Sequence, residues 1–102
     1  MIRIVADATA EIESARHYLN RHSRLLGHRF LEDLEFTLSA IAEMPLAYPA
    51  IEIFESYVPF RRALLRTFRY AVIFEVLADE ILVVAVAHTS RAPDYWLERS
   101  KL

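Results

Sequence analysis

Apolar residues recur along this chain in two different rhythms. Met1–Val5 reads as a short strand, after which Ala8, Ile12, Ala15 and Leu19 fall three and four positions apart, the spacing of one helical face. Asp7 or Thr9 is placed to cap that helix, which is expected to end near Arg21 or His22. A second stripe, Leu26, Phe30, Leu34, Leu38 and Ile41, follows almost at once and is stopped by Pro45, just beyond Met44. Two such stripes with a short link predict an antiparallel helical hairpin. From Pro45 to Pro59 there are three prolines and no clear period, so this stretch is expected to be an ordered, irregular connection that must bury Tyr48, Phe54 and Tyr57. The rhythm then changes. Phe60–Arg66, Phe68–Leu77 and Glu80–His88 are rich in Val, Ile, Phe and Leu, as strands should be.

Leu77-Ala78-Asp79-Glu80 reads as a tight turn with Ala78 and Asp79 as its loop. Continued without interruption, that register sets Val76 opposite Ile81, Tyr70 opposite Ala87 and Arg69 opposite His88. The last strands are apolar on both faces, so both faces are expected to be covered. One side takes the helical hairpin, the other the loop, the C-terminal tail or another chain. The expected fold is α+β, an N-terminal strand and a helical hairpin packed on an antiparallel sheet in the order β-α-α-β-β-β, with Pro93–Arg99 as a short terminal helix.

Composition narrows the reading. A length of 102 residues with one glycine and no linker-like tract is expected to form one domain, 1–102. With no cysteine there is no disulfide, thiolate metal site or cysteine nucleophile. The N-terminus lacks the apolar core of a secretion signal, and the longest strictly apolar run, Ile81–Ala87, is far short of the roughly 18 residues needed to span a bilayer. A cytoplasmic protein with no membrane partner is therefore expected. Twelve Lys or Arg stand against fourteen Asp or Glu, a net charge of −2, which gives no field for bulk nucleic-acid binding. Arginine is nevertheless concentrated at Arg61, Arg62, Arg66 and Arg69. Such a cluster either pairs with Glu52, Glu55 or Glu75 or receives acidic groups of a partner.

The chemistry-bearing stretch is VAVAHTSRAPDYW, Val84–Trp96, a core strand that ends in a histidine, a serine, an arginine and two large aromatics. A metal at His88 would need further ligands, and His17, His22 and His28 all sit on the helical hairpin without HExxH spacing. No metal and no cofactor is expected. His88 as acid or base, with Arg69 and Arg91 stabilising a phosphate, would make a ribonuclease. As ordinary structure, His88 and Arg91 cap the strand end, Tyr95 or Trp96 packs on the sheet and Arg99 pairs with Glu98 or Asp94.

The element order, with Arg62 opening the second strand, FRYAVIFEV around Tyr70, ILVVAVAH and the ending HTSRAPDYW with Arg99, resembles the RelE/ParE superfamily of type II toxin–antitoxin proteins, ParE-like plasmid-stabilisation branch. The resemblance covers essentially the whole chain. It implies a toxin neutralised by a cognate antitoxin, with DNA gyrase as the target of a binding inhibitor. The RelE-like alternative is a ribosome-dependent mRNA endonuclease with Arg69, His88 and Arg91 catalytic. A third reading keeps the antitoxin contact without toxicity. Members often carry a tyrosine where Phe74 stands, and the nucleases are strongly basic, whereas this chain has its only lysine at position 101. The residues nominated for partner binding are Arg61, Arg62, Arg66, Tyr70, His88, Arg91, Tyr95 and Trp96.

Overall fold

The computed structural model describes residues 1–51, 60–91 and 95–99. Strand β1 (Ile2–Ile4) leads into helix α1 (Ala6–Asn20), helix α2 (Arg24–Glu43), a 3-10 turn at Pro45–Ala47, and strands β2 (Ala50–Ile51), β3 (Phe60–Leu64), β4 (Tyr70–Val76) and β5 (Ile81–His88). A second 3-10 turn spans Leu97–Arg99. The sheet order is β1-β5-β4-β3-β2. The three strand-like runs and the helical hairpin lie where the sequence pattern puts them. The N-terminal strand joins β5 in parallel, while the remaining pairs are antiparallel.

Helix boundaries follow from local hydrogen bonding. Neither Asp7 nor Thr9 caps α1: Val5 is the cap residue, held extended by its N–H to the Val83 carbonyl. Asp7 instead falls in the first turn, where a carboxylate complements the helix dipole. Ser23 caps α2 through Oγ, which accepts the Leu25 N–H at 3.2 Å. The hairpin closes tightly at Gly27, which is buried; a side chain there would run into Asn20 and sit 3.3 Å from the Arg16 carbonyl oxygen.

The core lies on both sides of the sheet, as the double-sided apolar runs require. Toward the helices, Phe30, Leu34 and Ile41 pack on Ala63, Val72, Phe74, Val83 and Val86. On the opposite face Phe60, Ile73, Leu82, Val84 and Ala85 are covered by Trp96, with Tyr95, Leu97 and Ile51 at the margin. The Trp96 ring meets Phe60 edge-on at 4.7 Å and is 2% exposed. The C-terminal segment is therefore one cover of the second face. What the sequence reads as a terminal helix is a 3-10 turn with Pro93 and Asp94 outside the described residues. Tyr48 packs edge-on against Phe74 at 5.9 Å; Phe54 and Tyr57, also expected to be buried, lie outside the described residues.

A short strand, β2, forms within the connection expected to be irregular, and the β3–β4 boundaries and one register also differ from the sequence reading. The run expected over Phe60–Arg66 ends at Leu64 and the one expected over Phe68–Leu77 begins at Tyr70, because the buried Asp33 carboxylate of α2 accepts the Arg66 N–H at 3.2 Å and the Thr67 N–H at 2.8 Å. Those amides are thereby committed to a turn. In the β4–β5 hairpin the turn is as expected, with Leu77 N–H donating to the Glu80 carbonyl and Val76 opposite Ile81. Between Ile73 and Phe74 the ladder slips, and Val84 has no opposite residue. This β-bulge turns Val84 and Ala85 toward the same face. His88 consequently stands opposite Tyr70, and Ala87 opposite Ala71. The expected Arg69–His88 pairing is replaced by a backbone bond, Thr89 N–H to the Arg69 carbonyl at 2.9 Å.

Candidate functional site

Strand β5 outruns its parallel neighbour: β1 ends at Ile4, whereas β5 continues to His88. Past that point its outer edge carries backbone groups with no strand to bond, and these must be satisfied in another way. Glu11 of α1, half-buried, supplies the acceptor: its Oε1 takes the Val86 N–H at 3.0 Å. Arg99 supplies the donor, giving Nη1–H bonds to Glu11 Oε1 at 2.9 Å and to the Val84 carbonyl at 3.0 Å. Val84 is the residue that the bulge leaves unmatched, so the irregularity and its partner are adjacent. Tyr95 closes the network by donating its hydroxyl to Glu11 Oε2 at 2.5 Å.

The electrostatics follow from this packing. The Tyr95 hydroxyl is pushed up from 10.0 to about 12, first by burial and then by its hydrogen bond to, and the charge of, Glu11; Arg91 and Arg99 oppose the shift. The Arg91 guanidinium lies 4.0 Å over the Tyr95 ring, and Arg99 makes a further contact with Asp7 at 3.5 Å. Arg99 thus pairs with carboxylates of α1 and not with its neighbour Glu98, while Asp94 lies outside the described residues. Tyr70 opens β4 with its ring between Phe30 and His88, 5.2 Å from each, and burial pushes its hydroxyl up, with Tyr18 adding to the shift.

His88 has a defined neighbourhood. Its Nδ1 accepts the Ser90 N–H at 3.1 Å and lies 2.8 Å from Ser90 Oγ. A nitrogen that accepts a backbone N–H carries no proton, so neutral His88 is the Nε2–H tautomer. The Arg91 N–H in turn donates to the His88 carbonyl at 3.0 Å. The His88 side chain thus holds the strand end by accepting an N–H and not by bonding a carbonyl, and the Arg91 side chain, stacked on Tyr95, takes no part in these bonds.

Two clefts meet at this end of the sheet. The first, about 410 Å³, lies on the helical side among Glu11, Ser14, Tyr70, His88, Arg91 and Arg99. The second, about 100 Å³, lies on the opposite face and includes Arg62, His88, Arg91 and Trp96. Of the nominated residues, Tyr70, His88 and Arg91 come together in the first, Arg62 and Trp96 join His88 and Arg91 in the second, and Tyr95 belongs to the Glu11 network. The other arginines are elsewhere. Arg61 donates to the Tyr48 carbonyl at 2.6 Å, Arg66 stacks on Phe36 at 3.5 Å beside Asp33, and Arg69 is exposed and lines neither cleft. Arg66 therefore finds Asp33; the pairings expected with Glu52 and Glu55 fall outside the described residues. Sequence reasoning missed Glu11, Ser14 and Asp33. Glu11 carries a faint signal, an acidic residue one position before Ile12 on the apolar side of α1, but its target is a strand edge more than seventy positions away. Among the described residues no group of three or more His, Cys, Asp or Glu could hold a metal, and no helix is long and apolar enough to cross a membrane.

The fold is similar to that of a chain from the chromosomal ParDE TA system from P. aeruginosa. That likeness has a TM-score of 0.68 at 15% sequence identity and covers 85% of this chain and 92% of that one. It shows a shared fold. Residues 2–93 further match the family described as ParE toxin of type II toxin-antitoxin system, parDE, and the chain belongs to that family. No curated protein matches it.

Proposed function

We propose that this protein is the toxin of a type II toxin–antitoxin pair that acts by binding, as an inhibitor of DNA gyrase, and is neutralised by a cognate antitoxin. The observation that carries the choice of binding over cleavage is the register of the β4–β5 hairpin. The bulge sets Tyr70 against His88 and leaves Arg69 outside both clefts. The trio that would stabilise a scissile phosphate is thus divided, with His88 Nδ1 accepting a backbone N–H and Arg91 stacked on Tyr95. Phe74 agrees with this reading, because it is fully buried against Tyr48 and has no hydroxyl to offer to proton chemistry. The partner-binding residues in this reading are Arg62, Tyr70, His88, Arg91, Tyr95 and Trp96, with Arg61 in β3 beside Tyr48 and Arg66 past the end of β3 beside Phe36.

The test is the response of a bacterium in the first minutes after induction. An inhibitor of gyrase gives DNA-damage signalling and stalled replication with transcripts intact, and the purified protein blocks supercoiling by gyrase. Co-expression of the small protein encoded beside this gene, its C-terminal part disordered until bound, restores growth. Transcripts cut at codon boundaries, with cutting lost in His88→Ala and Arg91→Ala, would overturn the reading in favour of a nuclease. Harmless expression without any neighbouring partner gene would overturn the toxin assignment itself.

A further inference from the structure

The smaller cleft, on the sheet face turned away from the helical hairpin, has a composition that points to a ligand. Its floor is apolar and low, because Ala71 and Ala87 have short side chains where Ile73 and Trp96 stand beside them. Its polar lining is Arg62, His88, Thr89 and Arg91, and no carboxylate lines it among the described residues. Both arginines are exposed, and neither has an ion pair among the described residues. Arg91 is nonetheless held in place by its stack on Tyr95. A guanidinium stacked on a ring still presents its in-plane N–H groups, so that its donors are oriented before any ligand arrives.

We infer that Arg62 and Arg91 form a receiving site for a single carboxylate side chain of a protein partner, an Asp or Glu with an apolar neighbour that rests near Ile51 and Trp96. Size selects a side chain over a free metabolite: about 100 Å³ is well below the several hundred Å³ of a small-molecule pocket. Charge selects peptide over nucleic acid. A chain of net charge −2 has no general attraction for a phosphate backbone, whereas two cations on an apolar floor suit one desolvated carboxylate. The inference rests on the reading of the protein as a binding toxin and names the chemistry by which it would bind.

The experiment uses the full chain in vitro, so its result does not depend on toxicity in cells. Trp96 is the single tryptophan of the sequence and lines the cleft, which makes its fluorescence a local reporter. The probe is an acetylated peptide with four glutamates interspersed with leucine and alanine; the controls are its glutamine counterpart and a single-stranded oligothymidylate. The expected result is a saturable change in Trp96 emission with the glutamate peptide, absent with the glutamine peptide. Binding weakens about tenfold or more in Arg62→Gln and in Arg91→Gln and is unchanged in Arg69→Gln, with thermal melting of all three variants unaltered. No saturable response, equal binding of the two peptides, or full retention in Arg62→Gln would overturn the site. Tighter binding of the oligothymidylate at the same salt, lost with the same two arginines, would overturn the choice of a carboxylate.

Discussion

Glu11 does with one side chain what a neighbouring strand does with several residues. It accepts the Val86 N–H where β1 has ended, and through Arg99 and Tyr95 it fixes the C-terminal segment to the same edge. Because Tyr95 holds its proton more tightly folded than unfolded, the contribution of this contact has a defined pH window. Below pH 10, where the hydroxyl is neutral in both states, the stabilisation is fully present; it is lost as pH rises from 10.0 toward about 12. Urea unfolding of the wild type should therefore show a midpoint that falls across that range. Tyr95→Phe should start from a lower midpoint at pH 8 and decline less steeply, and an identical slope would contradict the assignment of the proton to this bond.

At the scale of elements, the helical hairpin closes at one glycine, where only a small side chain fits. A β-carbon at Gly27 meets Asn20, which can rotate away, and the Arg16 carbonyl oxygen at 3.3 Å, which belongs to the α1 backbone. Alanine there gains about 1 kcal/mol of helix propensity and loses a similar amount in the shift that the carbonyl requires. Gly27→Ala should accordingly alter the unfolding free energy by less than about 1 kcal/mol. Gly27→Leu has nowhere to place its side chain and should cost about 2 kcal/mol or more, since overpacking a tight contact costs 1–3 kcal/mol. Chemical denaturation of the pair measures the difference. Asp33 plays a comparable part at the β3–β4 turn, where its carboxylate converts two expected strand residues into a tight connection.

For the molecule as a whole, the second face of the sheet depends on the C-terminal segment. Trp96 covers Phe60, Ile73 and Val84, which have no α-helix packed on them among the described residues. Trp96→Ala should lower the unfolding free energy by about 3–5 kcal/mol and expose an apolar face that binds hydrophobic dyes. Differential scanning calorimetry and dye fluorescence read both effects, and a loss below about 1 kcal/mol would mean that another group covers the face.

Much of this architecture was legible in periodicity. Phe30, Leu34 and Ile41 announce the buried stripe of α2, Pro45 its end, and the turn at Ala78-Asp79 the start of the last hairpin, because each is a local property that neighbouring residues fix by sterics and spacing. The segment from His88 to Trp96 was likewise marked as the place where chemistry-bearing residues leave the core. What only the tertiary structure decided was which of them meet. The bulge at Val84 leaves no trace in an apolar run buried on both faces, where a slip by one residue exchanges one apolar side chain for another, and yet it moves Tyr70 rather than Arg69 opposite His88. Glu11 and Asp33 look in sequence like ordinary helical acids; their partners, Val86 and the Arg66–Thr67 amides, lie 75 and more than 30 positions away. Such bonds depend on where chain folding leaves a backbone donor without a strand to receive it, and that is a property of the assembled sheet.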